Sequence, residues 1–203
     1  MLTKLESKRN LFDPDLFDGK SKDELWLLNI GITNYSINSD GSIDVNGDVD
    51  IFNQNLIKIP IKFGKVTGDF ICYNNDLISL EGAPTSVGGD FDCSYNNLTS
   101  LEGAPTSVGG GFYCYNNNLT SLEGAPTSVG GGFYCYNNKL SSLEGAPKLV
   151  GKHFDCSYNN LISLEDAPKS VDGNFDCSNN LIKFTEKDVR SVCDIKGDIY
   201  FEK

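Results

Sequence analysis

Apolar residues recur along this chain at one fixed interval. Phe70, Phe91, Phe112, Phe133, Phe154 and Phe175 are 21 residues apart, and Cys72, Cys93, Cys114, Cys135, Cys156 and Cys177 keep the same step. In each Phe-x-Cys the two residues sit at i and i+2, on one face of a short strand. An Asn follows the Cys at Asn75, Asn96, Asn117, Asn138 and Asn159, then a Leu at Leu77, Leu98, Leu119, Leu140 and Leu161. A second Leu comes three residues on, as at Leu80 and Leu101, and EGAP then turns the chain, with Pro84, Pro105, Pro126, Pro147 and Pro168 in step. Val87 or Val108 points inward again, and Gly-Gly returns the chain to the next strand. Glycine is expected at that return for φ values that other residues avoid. So short a unit has no core of its own and must stack on its neighbours, which predicts a mainly β repeat solenoid.

The repeat extends beyond its best copies. Counting back one step from Phe70 gives a degenerate first turn that begins at Val49, with Ile51 in the Cys position. At the far end FDCSNNLIKF has lost one residue and the motif fades, as terminal units do. The reading divides the chain into a loop-like, poorly ordered tail (residues 1–20), an N-terminal cap (21–48), the repeats (49–184) and a C-terminal cap (185–203). In the first cap, SKDELWLLNI predicts a short helix opened by a Ser21/Glu24 capping box, with Leu25, Trp26 and Leu28 available to pack. NYSINSDGSIDV predicts a hairpin with its tight turn at Asp40-Gly41. In the second cap, TEKDVRSV predicts a brief helix, and Ile199 and Phe201 a closing strand.

The order LTSL…P…V…F-x-C-x-x-N-x-L resembles the leucine-rich repeat, with Phe and Cys in two of its leucine slots, and is similar to the short repeats of bacterial secreted effectors. The fuller wording LTSLEGAP-x-x-VGG-x-F-x-C resembles repeat proteins of tailed-bacteriophage genomes. The likeness covers Val49 to about Phe184. It implies an arc with a parallel sheet on its concave face and a loop-rich convex side. It implies a binding scaffold more than any one activity.

The formal charge is −11, and no Lys or Arg occurs between Val66 and Asn138. This argues against direct nucleic-acid binding. No apolar run is long enough to cross a membrane, and MLTKLESKRN lacks a signal-peptide core. A reducing cytoplasm is the expected compartment, that of the host cell if the chain is phage-encoded.

The candidate chemistries mostly reduce to structure. The seven cysteines contain no C-x-x-C pair for zinc. Six form an inward column of reduced thiols in strands ~4.8 Å apart, where parallel side chains suit a bridge poorly. Cys193 is off-register and is the thiol expected to react. The Asn column is expected to satisfy backbone groups where each strand turns away. Glu81, Glu102, Glu123, Glu144 and Glu165 form a like-charged column. Repulsion of only ~0.8 kcal/mol per neighbouring pair in water leaves it a solvated edge, without the mixed oxygens of a calcium loop. The lone histidine, His153, has no nucleophile at recognisable spacing, and no phosphate loop or zinc-hydrolase motif is present. The reading is therefore of a non-enzyme with no cofactor and no metal.

The outward strand positions vary where the core letters repeat. They bring together Tyr113, Tyr115, Tyr134 and Tyr136, with Tyr73, Tyr95 and Tyr158 nearby and Asp90, Asp92, Asp155 and Asp176 around them. Tyrosine offers large amphipathic contact area for few frozen torsions, and contiguous exposed aromatic area points to a partner. The competing account is that Tyr is a good strand former whose ring shields a neighbour. The first functional reading is a protein-binding module, monomeric alone, whose concave face holds a basic or amphipathic protein. The phage resemblance extends it to an inhibitor of a bacterial host or defence protein. The alternative is an acidic nucleic-acid mimic that blocks a DNA- or RNA-handling enzyme. Self-association through solenoid ends is a third.

Overall fold

The computed structural model describes residues 19–201. The tail expected at residues 1–20 therefore lies almost wholly outside the described residues. In chain order the elements are α1 (Lys22–Asn29), β1 (Tyr35–Ile37), β2 (Ile43–Val45), β3 (Val49–Asp50), β4 (Phe63–Val66) and β5 (Phe70–Ile71). Two-residue strands then alternate as β6 (Ser86–Val87), β7 (Phe91–Asp92), β8 (Ser107–Val108), β9 (Phe112–Tyr113), β10 (Ser128–Val129) and β11 (Phe133–Tyr134). They continue as β12 (Leu149–Val150), β13 (Phe154–Asp155), β14 (Ser170–Val171) and β15 (Phe175–Asp176), then α2 (Glu186–Val192), β16 (Asp194–Ile195) and β17 (Ile199–Tyr200).

The protein is the mainly β repeat solenoid that the periodicity predicts. Each coil contributes one strand to each of two sheets. One has eight strands in the order β3-β5-β7-β9-β11-β13-β15-β17, and the other nine, β1-β2-β4-β6-β8-β10-β12-β14-β16. The second sheet runs through the Ser-Val positions, where the resemblance implies a loop-rich convex side, so that side is corrected to a second parallel sheet. All pairings are parallel except β1 with β2. Registers match letter to letter: Phe133 stands opposite Phe112 on one side and Phe154 on the other.

The matched register turns the Phe position into a continuous ring column. Phe70 and Phe91 stack with centroids 5.7 Å apart, Phe112 and Phe133 at 5.1 Å, and Phe133 and Phe154 at 5.9 Å. At the N-terminal end Phe63 meets Phe70 edge-on at 5.2 Å, and Trp26 of α1 meets Phe63 at 6.3 Å. The repeat cysteines and both leucines of each full coil lie in the same buried cluster. No disulfide joins the cysteines. The thiols of Cys114, Cys135 and Cys156 instead donate to backbone carbonyls of the next coil at 3.3–3.5 Å.

The asparagine column allows a strand of two residues to end. Asn117 Nδ2 donates to the carbonyl of Cys114 in its own coil at 3.2 Å and to that of Cys93 in the preceding coil at 3.0 Å. Its Oδ1 accepts the Leu98 N–H at 3.0 Å. Asn75, Asn96, Asn138 and Asn159 repeat the pattern, and Asn180 extends it into the shortened last unit.

The expected reason for Gly-Gly needs correction. Positive φ falls instead in the EGAP turn, at Gly82, Gly103, Gly124 and Gly145 (85° to 93°), with Asp166 at 64° in the EDAP copy. The return glycines are required by space. A Cβ at Gly109, Gly130 or Gly151 would collide with the carbonyl oxygen of Gly88, Gly109 or Gly130 in the coil before.

The caps also differ in detail from the sequence reading. The Ser21/Glu24 capping box forms, but Leu27 is the fully buried residue of α1, with Trp26 and Ile30 packed beside it. These three fall at i, i+1 and i+4, on one side of the helix at the end of the solenoid. The hairpin closes through a loop spanning 38–42, not a two-residue turn. In it the Asp40 carboxylate accepts both the N–H and the hydroxyl of Ser42. Helix α2, with a capping box between Thr185 and Asp188, occupies the turn of the last coil. Strand β17 then sets Ile199 opposite Phe175, and Phe201 packs against the core.

Asn117→Ala removes an acceptor and a double donor from a buried turn. It is expected to lower unfolding free energy by about 1–3 kcal/mol in urea denaturation. Asn118→Ala, next to it but outside the ladder, is expected to stay within about 0.5 kcal/mol of wild type. Equal midpoints for the two variants contradict the ladder.

Candidate interaction surface

The eight-stranded sheet carries its outward residues in columns. The position after Phe runs Asp50, Ile71, Asp92, Tyr113, Tyr134, Asp155, Asp176 and ends at Tyr200. The position after Cys runs Phe52, Tyr73, Ser94, Tyr115, Tyr136, Ser157, Ser178. Where these columns pass through the middle coils they meet as two stacked tyrosine pairs. Tyr113 and Tyr134 lie 4.9 Å apart with 5° between planes, and Tyr115 and Tyr136 lie 4.4 Å apart with 10°. All four are half-buried. Tyr95 meets Tyr115 edge-on at 5.4 Å.

Not every tyrosine in the sequence reading joins this block. Tyr73 stacks on Phe52 at 5.3 Å, one coil beyond Ser94, as a separate aromatic pair. Tyr158 makes no ring contact among the described residues and is 59% exposed. Tyr95 and Tyr158 also occupy left-handed backbone, at φ 50° and 52°. The equivalent residues of other coils are Asn53, Asn74, Asn116, Asn137 and Asn179, all at positive φ. Asparagine suits this region, and a bulky residue there is an outlier.

The aspartates are more constrained than a free acidic rim. Asp92 Oδ1 accepts the N–H of Ser94 at 2.9 Å and its hydroxyl at 2.5 Å. Asp155 holds Ser157 in the same way, and Asp176 holds Ser178. Burial raises the Asp92 and Asp155 carboxyls above the usual range, against the lowering effect of these serine bonds. Asp90 is off the outward columns, at the corner before Phe91. It accepts the Gly111 N–H at 2.6 Å, one rung of a corner ladder in which Asp48 and Asp69 do the same for Asp69 and Asp90.

The corner ladder explains residues the sequence reading missed. A Cβ at Gly111 or Gly132 would come within 2.8 or 2.6 Å of the ring of Tyr113 or Tyr134. These rings fold back over the corner, and only glycine leaves room. The signal is in the sequence as a paired change: Asp90 precedes Phe91-Asp92, whereas Gly111 and Gly132 precede Phe-Tyr. Ser94, Ser157 and Ser178 beneath the aspartates and Phe52 beside Tyr73 also lie on this face, outside the site residues expected from sequence.

Elsewhere, His153 is exposed and its Nδ1 accepts the Asn174 N–H at 3.0 Å, replacing an Asp in the corner ladder. The five column glutamates are exposed. Cys193, expected to be the reactive thiol, is buried at the end of α2, and burial pushes its pKa from 9.0 up to about 11. Being out of register did not leave it outside the core. Among the described residues no group of three His, Cys, Asp or Glu is placed to hold a metal ion, and no helix is long and apolar enough to cross a membrane.

The fold is a β repeat solenoid with an aromatic block on one sheet face. Compared with protein families, curated proteins and solved structures, the chain finds no match.

Two solution properties follow from burial. None of the seven cysteines is expected to react with a colorimetric disulfide reagent in the native protein near neutral pH, and all should react in denaturant. Rapid labelling of Cys193 in the native state contradicts its placement.

Burial, with Asp90 next in effect, raises Tyr113 from 10.0 to about 12, and burial raises Cys177 from 9.0 to about 12. Both groups keep their protons more firmly when folded. Their contribution to stability is complete below the unfolded values and is lost as pH rises through the folded ones. Stability is expected to fall from about pH 9 to pH 12, and Tyr113→Phe should reduce the upper part of that loss in alkaline denaturation curves.

Proposed function

We propose that this chain is a non-enzymatic protein-binding module. Its eight-stranded sheet docks a basic or amphipathic protein partner on the block of Tyr113, Tyr115, Tyr134 and Tyr136. The observation that carries this reading is the pair of left-handed tyrosines, Tyr95 and Tyr158, more than half exposed on the coils that bound the block. Backbone strain of this kind, on the order of 1–2 kcal/mol per residue, persists where surrounding structure holds it and clusters at binding sites. The stacked rings supply rigid contact area, and the Asp–Ser pairs beside them supply hydrogen bonding.

The absence of Lys and Arg from Val66 to Asn138 favours a basic partner on this face. The likeness of the repeat to those of tailed-phage proteins extends the proposal to an inhibitor of a bacterial host or defence protein, acting in the host cytoplasm. The exposed glutamate edge supports the alternative, a nucleic-acid mimic that acts through Glu102, Glu123 and Glu144.

Capture of partners from bacterial lysate by wild type and by Tyr113→Ala/Tyr134→Ala tests the first reading. The wild type is expected to retain specific proteins that the variant loses by about tenfold or more, an anchor loss of ~1.4 kcal/mol or greater. Glu102→Gln/Glu123→Gln/Glu144→Gln is expected to retain them. Loss with the glutamine variant and retention with the alanine variant would reverse the order of the two readings.

A further inference from the structure

The aromatic block has an order that a plain tyrosine patch would not need. Across four successive coils the outward residues are Asp92, Ser94, Tyr95; Tyr113, Tyr115, Asn116; Tyr134, Tyr136, Asn137; and Asp155, Ser157, Tyr158. The two inner coils share one set of side chains and the two outer coils another. Tyr113 and Tyr134 spend their facing surfaces on each other, 4.9 Å apart and nearly parallel. The outer face of Tyr113 therefore looks toward the coil of Asp92, its strand neighbour, and that of Tyr134 toward the coil of Asp155. On each side the ring column steps down to a carboxylate on a short stem.

These two carboxylates keep an open valence. Each uses Oδ1 for its serine, and neither Oδ2 makes a hydrogen bond or ion pair among the described residues. Ion pairs lie elsewhere in the fold, at Lys20–Glu24, Lys62–Asp40, Arg190–Glu186 and Lys196–Asp172. Asp92 and Asp155 are thus half-buried carboxylates without a cation, each directly across the sheet from a tyrosine of the stack. The same carboxylates act electrostatically on the tyrosines, with Asp90 ahead of Asp92 at Tyr113. After burial, Asp90 and Asp92 are among the causes that raise Tyr113, and Asp155 heads the charges that raise Tyr134.

We propose that the two steps are cation niches, and that the partner lays an extended segment along the stack with one arginine on Tyr113–Asp92 and a second on Tyr134–Asp155. This rests on the docking surface proposed above and specifies its occupant. Guanidinium suits the niche better than ammonium, because it is planar, stacks on an aromatic face and still donates sideways to a carboxylate. The two aspartates are three coil steps apart, about 14 Å at ~4.8 Å per strand, which an extended chain covers in about four residues at ~3.3 Å each. An even spacing also puts both arginines on one side of that chain. The recognised pattern is therefore Arg-x-x-x-Arg in extended conformation.

The test uses the full chain and a fluorescent peptide, Gly-Arg-Gly-Ser-Gly-Arg-Gly, followed by anisotropy. A citrulline counterpart keeps its shape and removes its charge, and a second control places the arginines two residues apart. The arginine peptide is expected to bind saturably, and the citrulline peptide about tenfold or more weakly. Asp92→Asn and Asp155→Asn should each weaken the arginine peptide by about fivefold. Asparagine keeps the Oδ1 acceptor for serine, so the circular dichroism melt should not change. Asp176→Asn, one coil beyond the niche, should bind as wild type. Equal binding of the citrulline peptide, indifference to both Asn substitutions, or no saturation by about 1 mM overturns the niches. The outcomes separate the two proposals. Sensitivity of lysate capture to Tyr113→Ala/Tyr134→Ala but not to Asp92→Asn/Asp155→Asn keeps the docking surface and removes the niches. Insensitivity to all four substitutions removes both.

Discussion

Backbone bonds between coils continue past each two-residue strand, and the buried asparagine satisfies the carbonyls and the N–H that this pairing leaves over where the chain turns away. Each carboxamide bonds two carbonyls, one in its own coil and one in the coil before, and accepts an N–H from the preceding coil. All of its capacity is directed at backbone, in a place where water is excluded and an orphaned group would cost about 1–3 kcal/mol. Because one side chain bridges two coils, it fixes their spacing and their rotation together. The phenylalanine rings and thiols then fall into columns as a consequence. A coil shifted by one residue would point its Phe outward and leave its Asn facing nothing it could bond.

Columns make the surface a stack of near-independent choices, but the choices are linked within a coil. Where the position after Phe is Asp, the position after Cys is Ser in three of the coils, because the carboxylate closes on that hydroxyl. Where the position after Phe is Tyr in the middle coils, the corner residue two positions earlier is Gly, because the ring lies over it. These are two ways of finishing the same strand end, one polar and self-contained, the other aromatic and dependent on a neighbouring ring. The tyrosine solution occurs in two adjacent coils, so that each ring finds a parallel partner.

The fold was legible because the repeat states it several times over. Inward letters recur without change, and the period alone requires stacking. The asparagine column was legible for the same reason, since a polar residue repeated at a core position must bond backbone. What could not be read was local geometry on which the period is silent. Gly-Gly recurs in three coils whether the cause is φ or crowding, and only the position of the previous coil's carbonyl tells them apart. Cys193 breaks the register, yet the inserted helix α2 carries it back against the core. The aspartates counted as a rim from composition, whereas their serine partners lie two residues away and absorb one oxygen each. Tyr73 and Tyr158 were grouped with the block by proximity in number. A single intervening serine coil separates the first, and the second meets no ring among the described residues.

The strongest rival to a binding role is that tyrosine simply favours strands and shields its neighbours. That account serves for Tyr113 and Tyr134, which lie in β9 and β11. It fails for Tyr95 and Tyr158, because φ near 50° is not a strand conformation. Nor do these two shield a core: both rings are more than half exposed, and Tyr158 touches no other ring among the described residues. The remaining coils place asparagine at this site in the same backbone geometry, so the turn has a less strained solution that the chain uses five times. Strain at two equivalent positions, one on each side of the same aromatic block, is what the strand-former account leaves over, and it supports the proposed contact with a partner.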